Sequence, residues 1–86
     1  MIFFSKLKWI KVKENNKNIW YTDGINGRFS IYKDSDYKTK KDYYIISFGL
    51  RSVLGKRIIY DFKPLTVSNN FRLSKKICRL IEKGQQ

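Results

Sequence analysis

Ser68-Asn69-Asn70-Phe71-Arg72-Leu73-Ser74-Lys75-Lys76-Ile77-Cys78-Arg79-Leu80-Ile81-Glu82-Lys83 decides the fold, because the hydrophobic period here becomes that of a helix. Leu73, Ile77, Leu80 and Ile81 stand at i, i+4, i+7 and i+8 and form one apolar stripe. Ser68 reads as the N-cap and Gly84 as the residue just past the helix, and no Pro interrupts the span. The spacing predicts a helix over 68–83.

Upstream the pattern is that of strands. In Lys6-Leu7-Lys8-Trp9-Ile10-Lys11-Val12-Lys13, lysines alternate with Leu7, Ile10 and Val12 at close to period two, which marks a half-exposed strand. Glu14 to Asn18 turns the chain into Ile19-Trp20-Tyr21-Thr22. Asp23-Gly24 and Asn26-Gly27 are hairpin signals that lead into Arg28-Phe29-Ser30-Ile31-Tyr32. Lys33 to Lys41 is polar, without period, and reads as a mobile loop. Tyr43 to Phe48 and Lys56 to Phe62 read as a second hairpin closed near Val53-Leu54-Gly55, with Pro64 ending it. No segment repeats and no Pro- or Gly-rich linker divides the chain.

These elements define an α+β fold: a four- to five-stranded antiparallel sheet of two hairpins over about residues 6–62, with one C-terminal helix packed on one face. All 86 residues are read as a single domain with a small core. One helix covers one face, and the other face is left for water or a partner.

Charge is the second constraint. Nineteen Lys and Arg stand against seven Asp and Glu, with no His, for a net +12. The excess runs through both halves of the chain, so it is a property of the domain and not of a tail. With 42% hydrophobic and 16% aromatic residues, the chain is too apolar for a disordered polybasic arm. So basic a surface repels itself and points to a polyanion or an acidic partner.

A lone cysteine, Cys78, excludes an internal disulfide and indicates a reducing compartment, with the cytoplasm as the default. Met1-Ile2-Phe3-Phe4 is apolar but lacks the basic lead and the length of a secretion signal. No window approaches the roughly 20 apolar residues that span a bilayer, and a membrane partner is not expected.

Two constellations suit a polyanion. On the helix, Arg72, Lys75, Lys76, Arg79 and Lys83 fall at i, i+3, i+4, i+7 and i+11, within roughly 100° of arc, a ridge about 16 Å long at 1.5 Å per residue. Cations late in a helix also offset its dipole, which accounts for Arg79 and Lys83 but not for Arg72 near the start. In the strands, Arg28 and Arg57 are interleaved with Trp20, Tyr32, Tyr44 and Tyr60, residue types that stack bases and neutralise phosphates, or simply pack. Lys38, Lys40 and Lys41 lie in the mixed-charge loop, which reads first as solvated and second as a backbone clamp.

Catalytic chemistry is thin. Without His, and with one Cys, neither a Cys/His nucleophile pair nor a zinc set assembles. Asp61-Phe62-Lys63 with Asp42 has the residue types of metal-dependent nucleases, but the spacing is common in basic chains and no catalytic, metal or cofactor site is assigned. Asp23-Gly24 and Asn26-Gly27 precede no helix, so they do not form a phosphate cradle. Cys78, beside the apolar stripe, reads as a buried small hydrophobe.

The order of strands and helix, with Gly27-Arg28-Phe29-Ser30-Ile31-Tyr32 opening one strand and Tyr43-Tyr44-Ile45-Ile46 the next, resembles small phage and mobile-element proteins. It is similar in outline to the DNA-binding arm domain of tyrosine integrases, a three-stranded sheet backed by a C-terminal helix. That resemblance implies a sheet entering a major groove, with Arg28, Tyr32, Arg57 and Tyr60 as contacts. The leading expectation is a non-enzymatic protein that binds DNA or RNA mainly through phosphates, with no small-molecule substrate. The alternative is a phage-encoded inhibitor, similar to anti-CRISPR proteins, docking on an acidic host protein or nucleoprotein complex through the ridge and anchors such as Trp9, Trp20 or Tyr44.

Overall fold

Two-residue turns set the register of the sheet. In the computed structural model, which describes residues 7–85, Asn15 and Asn16 both take left-handed backbone angles, φ 50° and 64°. Asn tolerates that region better than most side chains, and two such residues in succession match the right-handed twist of a hairpin. They join β1 (Ile10–Glu14) to β2 (Lys17–Asp23). Gly55, at φ 65°, and Lys56 do the same between β4 (Asp42–Leu54) and β5 (Arg57–Ser68). Between β2 and β3 (Gly27–Ser35), Gly24 N–H donates to the Gly27 carbonyl at 2.7 Å.

The result is a five-stranded antiparallel meander in the order β1-β2-β3-β4-β5, followed by α1 (Phe71–Gln85), an α+β fold. Lys6, the expected start of the first strand, and the apolar lead Met1–Phe4 lie outside the described residues. The expected mobile loop over 33–41 is shorter. β3 runs on to Ser35, and the connection is closed by Asp36 N–H to the Lys41 carbonyl and Lys40 N–H to the Asp36 carbonyl, both 2.8 Å.

Pro64 does not end its hairpin. β5 continues to Ser68, with Ser47 opposite Pro64 and Ile46 opposite Thr66, so Leu65 is the extra residue of a bulge. On an edge strand, at a bulge, the missing N–H of Pro removes no ladder bond. β3 pairs with β4 as far as Gly27 and Leu50, beyond which β4 and β5 run on as a two-stranded ribbon to the Gly55 turn.

The helix starts later than Ser68. Asn70 is its cap, the side-chain Oδ1 accepting from Leu73 N–H at 2.7 Å, while Ser68 Oγ accepts from Asn70 N–H at 3.4 Å and braces it. At the other end the helix passes through Gly84 to Gln85.

The buried line of the helix also differs from the expected stripe. Ser74, Cys78 and Glu82 face the sheet, whereas Leu73 and Leu80 are 42% and 59% exposed and Ile77 and Ile81 are half-buried at the margin. The sheet face beneath is already filled by Phe29, Ile31 and Ile46, which with Cys78 form the fully buried core. Small side chains at Ser74 and Cys78 let the helix approach these residues closely, where leucines would hold it away. Phe71 anchors the N-terminal end, its ring centroid 4.6 Å from Trp20 and 5.9 Å from Tyr44. Glu82 anchors the other end, its Oε1 accepting from Ile25 N–H at 2.7 Å.

Candidate nucleic-acid interface

Strand alternation and the register divide the side chains between two sides of the sheet. Phe29, Ile31 and Ile46 lie under the helix, so their cross-strand partners Thr22, Trp20 and Phe48, and Lys11 beside Trp20, lie on the helix side as well. Residues of the other parity form the open side.

On the helix, Arg72, Lys76 and Arg79 are exposed along one ridge, and no carboxylate among the described residues is paired with them. Lys83 continues the line and is exposed. The first turn contains no acidic residue, so Arg72 opposes the dipole with no local compensation. Lys75 departs from the solvated ridge: it is half-buried, with its ammonium 4.9 Å from the centre of the Phe71 ring.

Lys75 is thereby the end of a longer arrangement. Phe71 packs on Trp20 at 4.6 Å, and the Lys11 ammonium lies 5.9 Å from the Trp20 ring. Lys11, Trp20, Phe71 and Lys75, from β1, β2 and α1, form one continuous cation-aromatic stack that joins the ridge to the lysines of β1. Next to it lies a hollow of ≈ 380 Å³ lined by Trp20, Tyr44 and Lys33 among others.

Trp20 and Tyr44, two of the aromatic candidates, belong to the covered side, where Phe71 packs against both. The register fixes the side: Trp20 stands opposite Ile31, which is in the core.

Tyr60 and Tyr32 do lie on the open side, with Arg28. Arg28 is occupied there. Its Nε donates to Asp23 Oδ1 at 2.7 Å, and its guanidinium lies 4.5 Å from the Tyr60 ring centre and 5.9 Å from that of Tyr21. The hydrogen bond from Arg28 holds the Asp23 carboxyl below the usual range and raises the guanidinium in turn. Tyr21, Phe62 and Arg51, which composition alone did not single out, complete this lattice. Tyr21 and Phe62 meet at 6.1 Å, and Arg51 lies 5.8 Å from Tyr60. Burial is the main cause that raises the Tyr21 hydroxyl, with Glu14 nearby adding to it.

The remaining candidates are separate. Arg57 is at the far end of the β4–β5 ribbon, opposite Leu54, and Lys38, Lys40 and Lys41 are exposed in the β3–β4 connection. Asp42 is the first residue of β4 and Asp61 pairs with Leu50 eight residues further along it, about 26 Å at ~3.3 Å per residue, so the two carboxylates do not share a site. Asp42 is held low by the Ser35 hydroxyl, at 2.7 Å, and by Lys33. Among the described residues no three His, Cys, Asp or Glu side chains gather as a metal site, and no helix is long and apolar enough to cross a membrane. Comparison of the chain with protein-family models, curated proteins and solved structures finds no match.

Proposed function

We propose that this protein binds nucleic acid through the phosphate backbone, without catalysis, using the helix side and not the open face of the sheet. The observation that carries the reading is the joining of the α1 ridge to the β1 lysines through the stack of Lys75, Phe71, Trp20 and Lys11. That stack makes a single cationic surface with aromatic rings in its floor. The half-buried edges of Trp20 and Tyr44, beside Lys33, offer a place for an unpaired base against rings, while Arg72, Lys76 and Arg79 take phosphates. Nothing in this arrangement reads base edges in a groove, so affinity exceeds sequence specificity.

The test is binding of the purified protein to labelled single-stranded and duplex DNA and RNA across a salt series. Tight binding with a steep salt slope is expected. Joint replacement of Arg72, Lys76 and Arg79 by Glu lowers the slope by about three, roughly one per lost phosphate contact, with a melting temperature no lower than the parent's, since the change relieves repulsion and places an acid in the first turn of the helix. Absence of binding at low salt, or a triple variant that binds as the parent does, refutes the reading.

One observation favours the second reading, an inhibitor docked on an acidic protein. Leu73 and Leu80 are exposed beside the ridge, and an apolar line flanked by cations suits a protein groove with an acidic rim. A generic polyanion competitor separates the two, abolishing nucleic-acid binding and only weakening a protein complex.

A further inference from the structure

The side of the sheet away from the helix carries an unusual combination of apolar surface and charge balance. Ile10, Val53, Ile58, Phe62 and Val67 are all exposed there, on three of the five strands. Its middle is low. Ser30, Ser47 and Gly49 lie side by side on β3 and β4, and the Tyr21 and Phe62 rings lean across them from β2 and β5 to meet at 6.1 Å. The two serines are 5% and 6% exposed in consequence, and a methyl group on Gly49 would run into the Phe62 ring. The rings are thus held edge to face, at 60° to one another, in advance of any partner, so little ordering cost remains to be met on binding.

The charges on the strands of this face cancel. By strand parity they are Lys17, Arg28 and Arg51 against Glu14, Asp23 and Asp34, with Arg28 and Asp23 directly bonded, and Lys8 at the border beside Ile10 and Tyr21 leaves an excess of one. The chain as a whole is +12, so most of the excess lies elsewhere. A polyanion or an acidic membrane is drawn to that excess and finds little to neutralise here. Two copies of a +12 chain, in contrast, repel across most of their surfaces. They can approach where the local charge is smallest.

We propose that this face is a self-association surface, on which a second copy packs sheet against sheet about a two-fold axis. Both helices then point outward. The molecule extends 44 × 33 × 19 Å, and its two longer dimensions leave room for a sheet face of the roughly 800 Å² per partner that a stable interface takes. Sheets stacked in this way sit about 10 Å apart with aligned strands. An isologous contact would also set the apolar Ile58–Val53 pair of one copy against its counterpart or against Val67 of the other. The inference rests on the fold and the charge distribution and does not depend on nucleic-acid binding.

Sedimentation equilibrium of the nucleic-acid-free protein, from micromolar to sub-millimolar concentration, is the test. The expected mass is twice the 10.4 kDa of the chain, and association strengthens as salt is added, since screening relieves the repulsion between copies. That trend is opposite in sign to nucleic-acid binding, so failure of one reading is distinguishable from failure of the other. Ile58→Lys with Val67→Lys changes two exposed side chains and should give a folded monomer. Leu73→Lys with Leu80→Lys, on the helix side, should leave the dimer intact. A parent chain that stays monomeric at every concentration and salt overturns the proposal. So does a dimer that survives Ile58→Lys/Val67→Lys, or one lost only in the helix variant.

Discussion

Cys78 illustrates how burial sets chemistry at a single side chain. It is fully buried against Phe29, Ile31 and Ile46, and burial pushes its thiol up to about 12 from an ordinary 9.0. Only the thiolate attacks, so the native protein should resist thiol reagents at neutral pH and react at the rate at which it unfolds. A fast, unfolding-independent reaction would contradict the burial. The same shift couples to stability. The folded state favours the protonated thiol, so its contribution is complete below pH 9 and is lost as pH rises through 12. Glu82 shows the other side of burial. It is 5% exposed, and its carboxylate accepts the Ile25 N–H. Glu82→Ala should cost about 1–3 kcal/mol by stranding that donor, read as a lower urea midpoint, and Glu82→Gln should cost less because an acceptor remains.

At the scale of the element, the helix cap is a local prediction with a defined size. Asn70→Ala should destabilise the protein by about 1 kcal/mol, whereas Ser68→Ala, which touches the helix only through Asn70, should cost less; thermal unfolding of both variants ranks them. A larger loss at Ser68 would put the cap back where the sequence first suggests it. The strands and turns were legible because alternation and turn residues are local signals, and Asn15-Asn16 and Gly55 carry their own backbone preferences. The buried side of α1 was not. A helix laid over a filled sheet buries what is small at the point of closest approach, so Ser74 and Cys78 go inward and Leu73 and Leu80 outward, and a periodicity of large apolar residues points about a third of a turn away. The helix-side location of Trp20 and Tyr44 was hidden for a related reason: parity is fixed only once the register is known. Pro64 misled because a proline stops a central strand but is tolerated at a bulge on an edge.

For the whole molecule the governing feature is a charge that lies on one side. Arg28–Asp23 and Lys33–Asp42 are ion pairs between described residues, both substantially exposed, and exposed pairs contribute little. Self-repulsion among the remaining cations should therefore outweigh them, and the melting temperature should rise with added sodium chloride at neutral pH. A fall would mean that specific ion pairs dominate. The one-sided charge also explains why the ridge was readable from sequence and the quiet face was not. Helical spacing gathers Arg72, Lys76 and Arg79 without further knowledge, but the cancellation of Lys17, Arg28 and Arg51 by Glu14, Asp23 and Asp34 depends on four strands being in register.

The meander order of the strands has a consequence for the way the chain reaches this state. Each strand pairs with the one before it, across connections of no more than six residues, so the sheet can zip from turn to turn with little loop-closure entropy at any step. The helix has no such route. Its far end is fixed by Glu82 to Ile25, 57 residues away, a closure that gains nothing until the β2–β3 hairpin already exists to receive it. The cation-aromatic stack spans the same divide, since Lys75 and Phe71 meet Trp20 and Lys11 only when the helix docks. The cationic surface is therefore the last part of the molecule to form and the first to come apart, while the sheet beneath it persists.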